Sequence, residues 1–167
     1  MENSSKLNRQ EQSVNILNSP VSFFDVANHI LANMPERAQE IVKKRFGING
    51  GKPQTLERIG KDYGITRERV RQIIMDVLKK ISKEGENEHF KKAENKIIFT
   101  IEESNGIIEQ KDIIDKLSAG DQKEANALSF ICLGSSTIIS IEQEGIEKSW
   151  ALNKKAVDKV KEVGLVI

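Results

Sequence analysis

The stretch that decides the fold of the first half of the chain is Ile65-Thr-Arg-Glu-Arg-Val-Arg-Gln-Ile-Ile-Met-Asp-Val-Leu-Lys-Lys-Ile81. Starting at Val70, apolar residues recur at offsets of zero, three, four, seven, eight and eleven, which places them on one face of a helix. Thr66 is suited to cap the start of this helix, and Ile65 and Val70 occupy the two positions of a hydrophobic staple. The pattern therefore predicts a long amphipathic helix whose apolar face packs inward.

The opposite face of this helix is polar and carries side chains that can read base pairs. It consists of Glu68, Gln72, Met75 and Lys79, flanked by Arg69 and Arg71, with Arg67 at the first turn. Arginine can form two hydrogen bonds with guanine, glutamine can form two with adenine, and glutamate can accept one from cytosine. The alternative interpretation is a solvated charged face without a ligand, because most charge runs on helices are of that kind.

A shorter helix precedes this one and completes a recognisable motif. Thr55 is suited to cap it, Leu56 and Ile59 face inward, and Gly64 stands where a helix ends in a left-handed residue. Two more helices are predicted upstream, at about residues 20–34 and 35–47, with a loop at 49–53. A short helix, a glycine-containing turn and a longer helix make a helix-turn-helix, whose second helix can enter the major groove of DNA.

The charge distribution supports a nucleic-acid partner for the first half only. The formal net charge of the chain is +1, but residues 34–82 hold 12 Lys and Arg against 6 Asp and Glu. Residues 84–167 hold 11 against 16, and no arginine follows Arg71. A basic segment suits a polyphosphate partner and an acidic one does not, so we expect the second half to bind protein rather than DNA.

The second half has the element order of a winged helix. We expect residues 84–89 to link a first domain at 20–83 to a second at 90–167. The predicted order is helix, strand, helix, helix, hairpin and helix, so the fold class of the whole chain is mainly α with a small sheet. Gly106–Ile108 is predicted to be a strand. The third helix is predicted to begin with a capping box of Asp121 and Glu124 and to end at Gly134. Gly145 marks the turn of the hairpin, and Asn153 is suited to cap the final helix.

Several classes of protein find no support in the composition. The single cysteine, Cys132, cannot form an internal disulfide and is expected to be a small buried residue, which fits a reducing, cytoplasmic setting. No apolar run is long enough for a signal peptide or a membrane span. Residues 1–19 are polar and are expected to be disordered.

Catalytic and cofactor sites are not indicated either. His29 and His89 lie far apart in the sequence, without Cys, Asp or Glu at ligand spacing, so we expect no metal site. No paired carboxylates, nucleophile constellation or phosphate-binding glycine loop is apparent, so we expect no enzymatic activity and no cofactor. We interpret Trp150 as a core residue of the hairpin rather than a platform for stacking bases.

Three strings carry a resemblance to a known family: Thr55-Leu-Glu-Arg-Ile-Gly-Lys-Asp-Tyr-Gly-Ile-Thr-Arg-Glu-Arg-Val-Arg-Gln-Ile73, Met34-Pro-Glu-Arg37 and Lys44-Arg-Phe-Gly47. Together they closely resemble region 4 of the sigma-70 family of bacterial sigma factors, over about residues 21–82. The resemblance implies a four-helix domain that reads the minus-35 promoter element. It also implies docking on the flap of the RNA polymerase β subunit.

Carried over by position, the resemblance assigns roles to individual residues. It makes Arg67, Glu68, Arg71 and Gln72 base-reading or groove residues, Arg69 and Lys79 phosphate contacts, and places Thr55 and Thr66 at the DNA surface. The chain departs from the family's usual residues at Arg58, Ile74, Met75 and Asp76. Because Asp76 reverses a charge, the family's contact at that position is not carried over.

The second half is similar, mainly in element order, to the HARE-type winged helix found in the δ subunit of Gram-positive RNA polymerase. The leading hypothesis is a stand-alone transcription factor whose second domain contacts RNA polymerase. The alternatives are an adaptor that binds polymerase without reading DNA, and the C-terminal part of a longer sigma factor. Met1 and the polar tail favour a complete chain. The chain is not expected to open DNA alone, because its eight aromatic residues lie mostly at core-like positions.

Overall fold

The computed structural model describes residues 11, 15, 19–83 and 87–152, and within them the chain is mainly helical with one small sheet. The helices are α1 (Phe23–Leu31), α2 (Glu36–Phe46), α3 (Leu56–Tyr63), α4 (Arg67–Lys83), α5 (Glu88–Glu103), α6 (Gln110–Ser118) and α7 (Gln122–Gly134). The strands are β1 (Ile107–Glu109), β2 (Ile139–Gln143) and β3 (Ile146–Ala151). The predicted fold class is confirmed.

The predicted ends of the two helices in the helix-turn-helix are confirmed by cap hydrogen bonds and by one backbone angle. The Thr55 hydroxyl accepts a hydrogen bond from the Arg58 amide at 3.2 Å, and the Thr66 hydroxyl accepts one from the Arg69 amide at 3.1 Å. Gly64 ends α3 in the left-handed region, with φ of 64°. Thr55 thus sets where α3 begins, Gly64 where it ends and Thr66 where α4 begins.

Glycine is also required inside the motif, at a position that the sequence analysis did not single out. Gly60 is buried in α3, and a Cβ atom built on it would lie 2.7 Å from the carbonyl oxygen of Ile65. The turn therefore folds back closely on α3, and the absence of a side chain at Gly60 permits this approach.

The second half follows the predicted winged-helix order up to the end of the hairpin. The three strands form an antiparallel sheet in the order β1-β3-β2, and β2 and β3 are joined by a tight turn at Glu144 and Gly145. Trp150 lies on the central strand, opposite Ile108 on one side and Ser140 on the other, and is 3% exposed. Its interpretation as a core residue is confirmed.

Helix α7 begins as predicted, but the expected capping box does not form. The Asp121 carboxylate accepts hydrogen bonds from the amides of Lys123 and Glu124. The Glu124 carboxylate does not return to the start of its own helix. It accepts hydrogen bonds from the Ser22 hydroxyl and the Phe23 amide, both at 2.7 Å, and so caps the N-terminus of α1. The Glu124 carboxylate thus binds residues about a hundred positions away instead of the backbone amide of Asp121.

Helix α7 ends at Gly134, as predicted, and Ser135 follows it in an extended conformation. Gly134 also has a packing role that was not predicted. A Cβ atom on Gly134 would lie 3.0 Å from Cγ2 of Ile81. Gly134 thus lets the end of α7 approach α4 closely.

The apolar core is continuous from α1 to β3, and α7 lies at its centre. This helix packs against α1, α2 and α4 of the first half as well as against α5 and α6 of the second. Eight of its 13 residues are buried. The two predicted domains therefore share a packed boundary along α7, and α5 begins at Glu88, inside the predicted linker.

Other predictions concern residues outside the described ones: most of the disordered tail at 1–19, and the final helix after Asn153. Within the described part of the chain, no helix combines the length and apolar character needed to cross a membrane.

Candidate nucleic-acid interface

The predicted reading face of α4 is exposed along its length. The side chains of Arg67, Glu68, Arg69, Arg71, Gln72, Met75 and Lys79 are all exposed. Val70, Ile74, Val77 and Ile81 are buried on the opposite face, while Ile73 and Leu78 are half-buried at its edges. The structure therefore places every predicted base-reading residue on one uncovered surface.

Glu68 and Arg71 form a two-bond ion pair at the centre of this face. The Arg71 guanidinium donates from Nε to Glu68 Oε2 at 3.0 Å and from Nη2 to Oε1 at 2.7 Å. This hydrogen bonding lowers the pKa of Glu68 from its usual value. The pair gives the exposed guanidinium a preferred orientation on the surface of α4.

Arg69 and Gln72 lie side by side, with Arg69 Nη1 donating to Gln72 Oε1 at 3.4 Å. Arg69 also lines a cleft of about 340 Å³ between α2 and α4, whose floor includes Ile73 and Val77. It therefore lies at the flank of the reading face, on the side of α2.

The two capping threonines are exposed at the starts of α3 and α4. Each hydroxyl already accepts a backbone amide, but a hydroxyl that accepts can still donate its proton. Thr55 and Thr66 can therefore donate to phosphate oxygens without giving up their caps.

A basic cleft beside the helix-turn-helix was missed by the sequence analysis. It has a volume of about 580 Å³, and its lining includes Lys43, Lys44 and Lys52 together with Glu40. Lys44 lies 3.6 Å from the Asp62 carboxylate and 4.9 Å from the centre of the Tyr63 ring. The available signal was the pair Lys43 and Lys44 near the end of α2, followed by Lys52 in the next loop.

The two elements with which winged helices usually read DNA are, in the second half, a largely buried helix and an acidic hairpin. The third helix of the winged order is α7, which is largely buried against the first half. The hairpin carries Glu142, Glu144 and Glu147, and its Lys148 is engaged with Glu142 at 3.5 Å. Acidic side chains at the hairpin repel phosphates.

His29 and His89 are far apart in the sequence, but their side chains are neighbours in the structure. Their ring centres are 4.6 Å apart, on α1 and α5. Within the described part of the chain, no group of three or more His, Cys, Asp or Glu side chains is arranged to hold a metal ion. The pair is a contact between the two halves.

Cys132 is fully buried in α7, and burial, with a smaller contribution from the Glu94 carboxylate, raises the pKa of its thiol. Only the thiolate reacts readily with alkylating reagents. We expect iodoacetamide to leave Cys132 unmodified in the folded protein and to modify it fully in urea, as measured by intact mass. Rapid modification of the folded chain would contradict the burial of this helix.

An exposed basic recognition helix, tightly capped and joined to a short helix through a close turn, defines a helix-turn-helix DNA-binding unit. Residues 30–83 match the family described as Sigma-70, region 4, and this segment belongs to that family. A similar protein is RNA polymerase sigma factor SigA of Bacillus sp, 42% identical over 52 residues. The aligned part is 31% of this chain but only 14% of that relative. The HARE-type likeness of the second half stays a prediction.

Proposed function

We propose that this protein is a sequence-specific DNA-binding transcription factor that reads a minus-35-like promoter element through α4. The observation that carries the proposal is the uncovered reading face on a segment of the sigma-70 region 4 family. Arg67, Glu68, Arg71 and Gln72 read base edges, while Arg69, Lys79, Thr55 and Thr66 contact the backbone. The test is selection from a random duplex pool at low salt, which should enrich one hexamer-sized motif.

RNA polymerase is the proposed protein partner, with the flap of its β subunit as the contact implied by the family. The acidic second part contacts protein rather than DNA, because α7 is buried and the hairpin is negatively charged. Residues 20–83 would then bind DNA, and residues 90–167 would bind protein. Co-purification with polymerase tests this contact independently of DNA selection.

Two alternatives predict different results in the same pair of experiments. An adaptor would bind polymerase and select no motif. The C-terminal part of a longer sigma factor would select the motif in this form, and the encoding gene would extend upstream. Enrichment of a motif without any binding to polymerase would indicate a DNA-binding protein that does not act through a polymerase contact.

Lys79 provides a test of how the protein contacts the phosphate backbone of DNA. It lies 12 residues after Arg67 on α4, a distance of about 18 Å along the helix axis, so it should touch phosphate outside the base-reading region. We expect Lys79→Ala to weaken binding about equally on all sequences and to reduce the salt-dependence slope by about 1. Titrations at several salt concentrations measure this slope, and a sequence-dependent loss would make Lys79 a base contact.

A further inference from the structure

Met75 is a large apolar side chain on the otherwise polar reading face of α4. It is 51% exposed, and in the part of the chain that the structure describes the other exposed large hydrophobic side chain is Leu133, on α7. Met75 is not among the residues that pack against the apolar core. The chain also departs from the usual residue of the sigma-70 family at this position, so the resemblance assigns Met75 no role. Neither packing nor resemblance explains the side chain.

The position of Met75 on α4 lies between two proposed DNA contacts. Met75 follows Gln72, a proposed base contact, by three residues and precedes Lys79, a proposed phosphate contact, by four. Residues at these spacings are neighbours on one face of a helix. Three residues advance a helix by about 4.5 Å, which is close to the ~3.4 Å between successive base pairs. An α4 that lies in the major groove with Gln72 at one base pair thus presents Met75 to a neighbouring one.

The chemistry of the side chain restricts what Met75 can recognise there. Its thioether is at most a weak hydrogen-bond acceptor, so Met75 contributes apolar contact. The polar groups beside it already bind one another, since Arg71 pairs with Glu68 and Gln72 accepts from Arg69. In the major groove, the apolar group that distinguishes one base pair from another is the C5-methyl group of thymine. Met75 therefore matches thymine better than any other base.

The surroundings of Met75 favour DNA over protein as its partner. Exposed cationic side chains share this part of α4, namely Arg67, Arg69, Arg71 and Lys79. The cores of protein–protein interfaces are depleted of charged residues, whereas cations of this kind attract phosphates. A methionine has three rotatable bonds and adapts its shape to what it touches. A single adaptable apolar side chain among cations suits one methyl group in a DNA groove rather than an apolar protein surface.

We propose that Met75 is a specificity-determining residue, which contacts the methyl group of a thymine next to the base pair read by Gln72. The inference rests on the proposed function, because it takes α4 as the helix in the major groove. It extends the reading surface by one helical turn beyond the four base-reading residues proposed above. The preferred site then requires thymine at one further position.

The test removes the methyl group from the DNA and the methionine from the protein, separately and together. Each thymine of the selected DNA site is replaced in turn by deoxyuridine, which lacks the methyl group and keeps the hydrogen-bonding groups. Full-length wild type should bind one duplex of this series about fourfold more weakly, as expected when one methyl group loses its apolar contact. Met75→Ala should bind the thymine and deoxyuridine forms of that duplex equally well. The matched control is Leu133→Ala, which removes an exposed apolar side chain from α7 and should keep the fourfold difference.

Repeated selection with Met75→Ala gives a second readout. Alanine favours the helix and Met75 lies outside the core, so the variant should keep its fold, which Trp150 fluorescence checks. The enriched motif should lose its preference for thymine at one position and keep its preferences elsewhere. A side chain with a purely structural role would change the affinity for all sequences alike.

Equal effects of deoxyuridine on wild type and Met75→Ala at every thymine would overturn this inference and leave the proposed function intact. A motif without thymine next to the base pair at which Gln72→Ala relaxes preference would do the same. Weaker binding of Met75→Ala to RNA polymerase, with unchanged discrimination of thymine, would also overturn it and would make Met75 a protein contact. Failure to enrich any motif would overturn the proposed function together with this inference.

Discussion

Phe130→Ala is expected to lower the free energy of unfolding by about 3–5 kcal/mol, the range for removing a large aromatic side chain from a core. Phe130 is fully buried and packs on Phe46 across the boundary between the two halves. The cavity would open at the centre of one continuous core, where α7 is held on several sides and collapse is restricted. Both halves should lose stability together.

The chain provides one spectroscopic probe in each half. Tyr63, the only tyrosine, lies on α3, and Trp150, the only tryptophan, lies on β3. Urea unfolding followed by tyrosine absorbance and by tryptophan fluorescence should give coincident transitions in wild type, and both should shift by the same amount in Phe130→Ala. Leu133→Ala is the control on the same helix, since Leu133 is 43% exposed. A shift of the tryptophan transition alone would show that the halves unfold independently.

The features that the sequence predicted correctly depend on residues within about four positions of each other. The caps at Thr55 and Thr66, the end of α3 at Gly64 and the two faces of α4 are all of this kind. Helix period and capping chemistry act locally, so a single sequence contains them. The family resemblance then added roles to a face that the pattern had already placed outward.

The features that were missed join positions far apart in the chain. Glu124 has the right spacing for a local capping box, yet its carboxylate binds Ser22, 102 positions away. Asn126 reaches Gly47 across 79 positions, and the two histidines meet only because α1 and α5 pack together. Nothing in the local spacing encodes these partners. One usable signal existed, since α7 has apolar residues on most sides, which is typical of a helix buried all round.

Arg71→Ala is expected to weaken binding to the selected DNA site by at least the loss of one two-bond base contact, about 1–3 kcal/mol. The loss should exceed that of Gln72→Ala, which would remove a proposed base contact of similar size without changing charge. The reason is the ion pair on the reading face: without the guanidinium, Glu68 remains as an uncompensated carboxylate beside the DNA. Arg71→Ala thus removes the attraction between the guanidinium and DNA and leaves the repulsion between the Glu68 carboxylate and DNA.

The double variant Glu68→Gln with Arg71→Ala separates these two contributions. If the repulsion between Glu68 and the phosphates outweighs the base contact proposed for Glu68, the double variant should recover part of the affinity that Arg71→Ala removes. Lys148→Ala is the control for charge alone, because it deletes a positive charge from the acidic hairpin and should leave DNA affinity unchanged. Titration of each variant on the selected site and on single-base substitutions shows whether preference relaxes at one position. Uniform weakening on every sequence would instead make Arg71 a phosphate contact, and the base-reading surface would then have to be centred on other residues of α4.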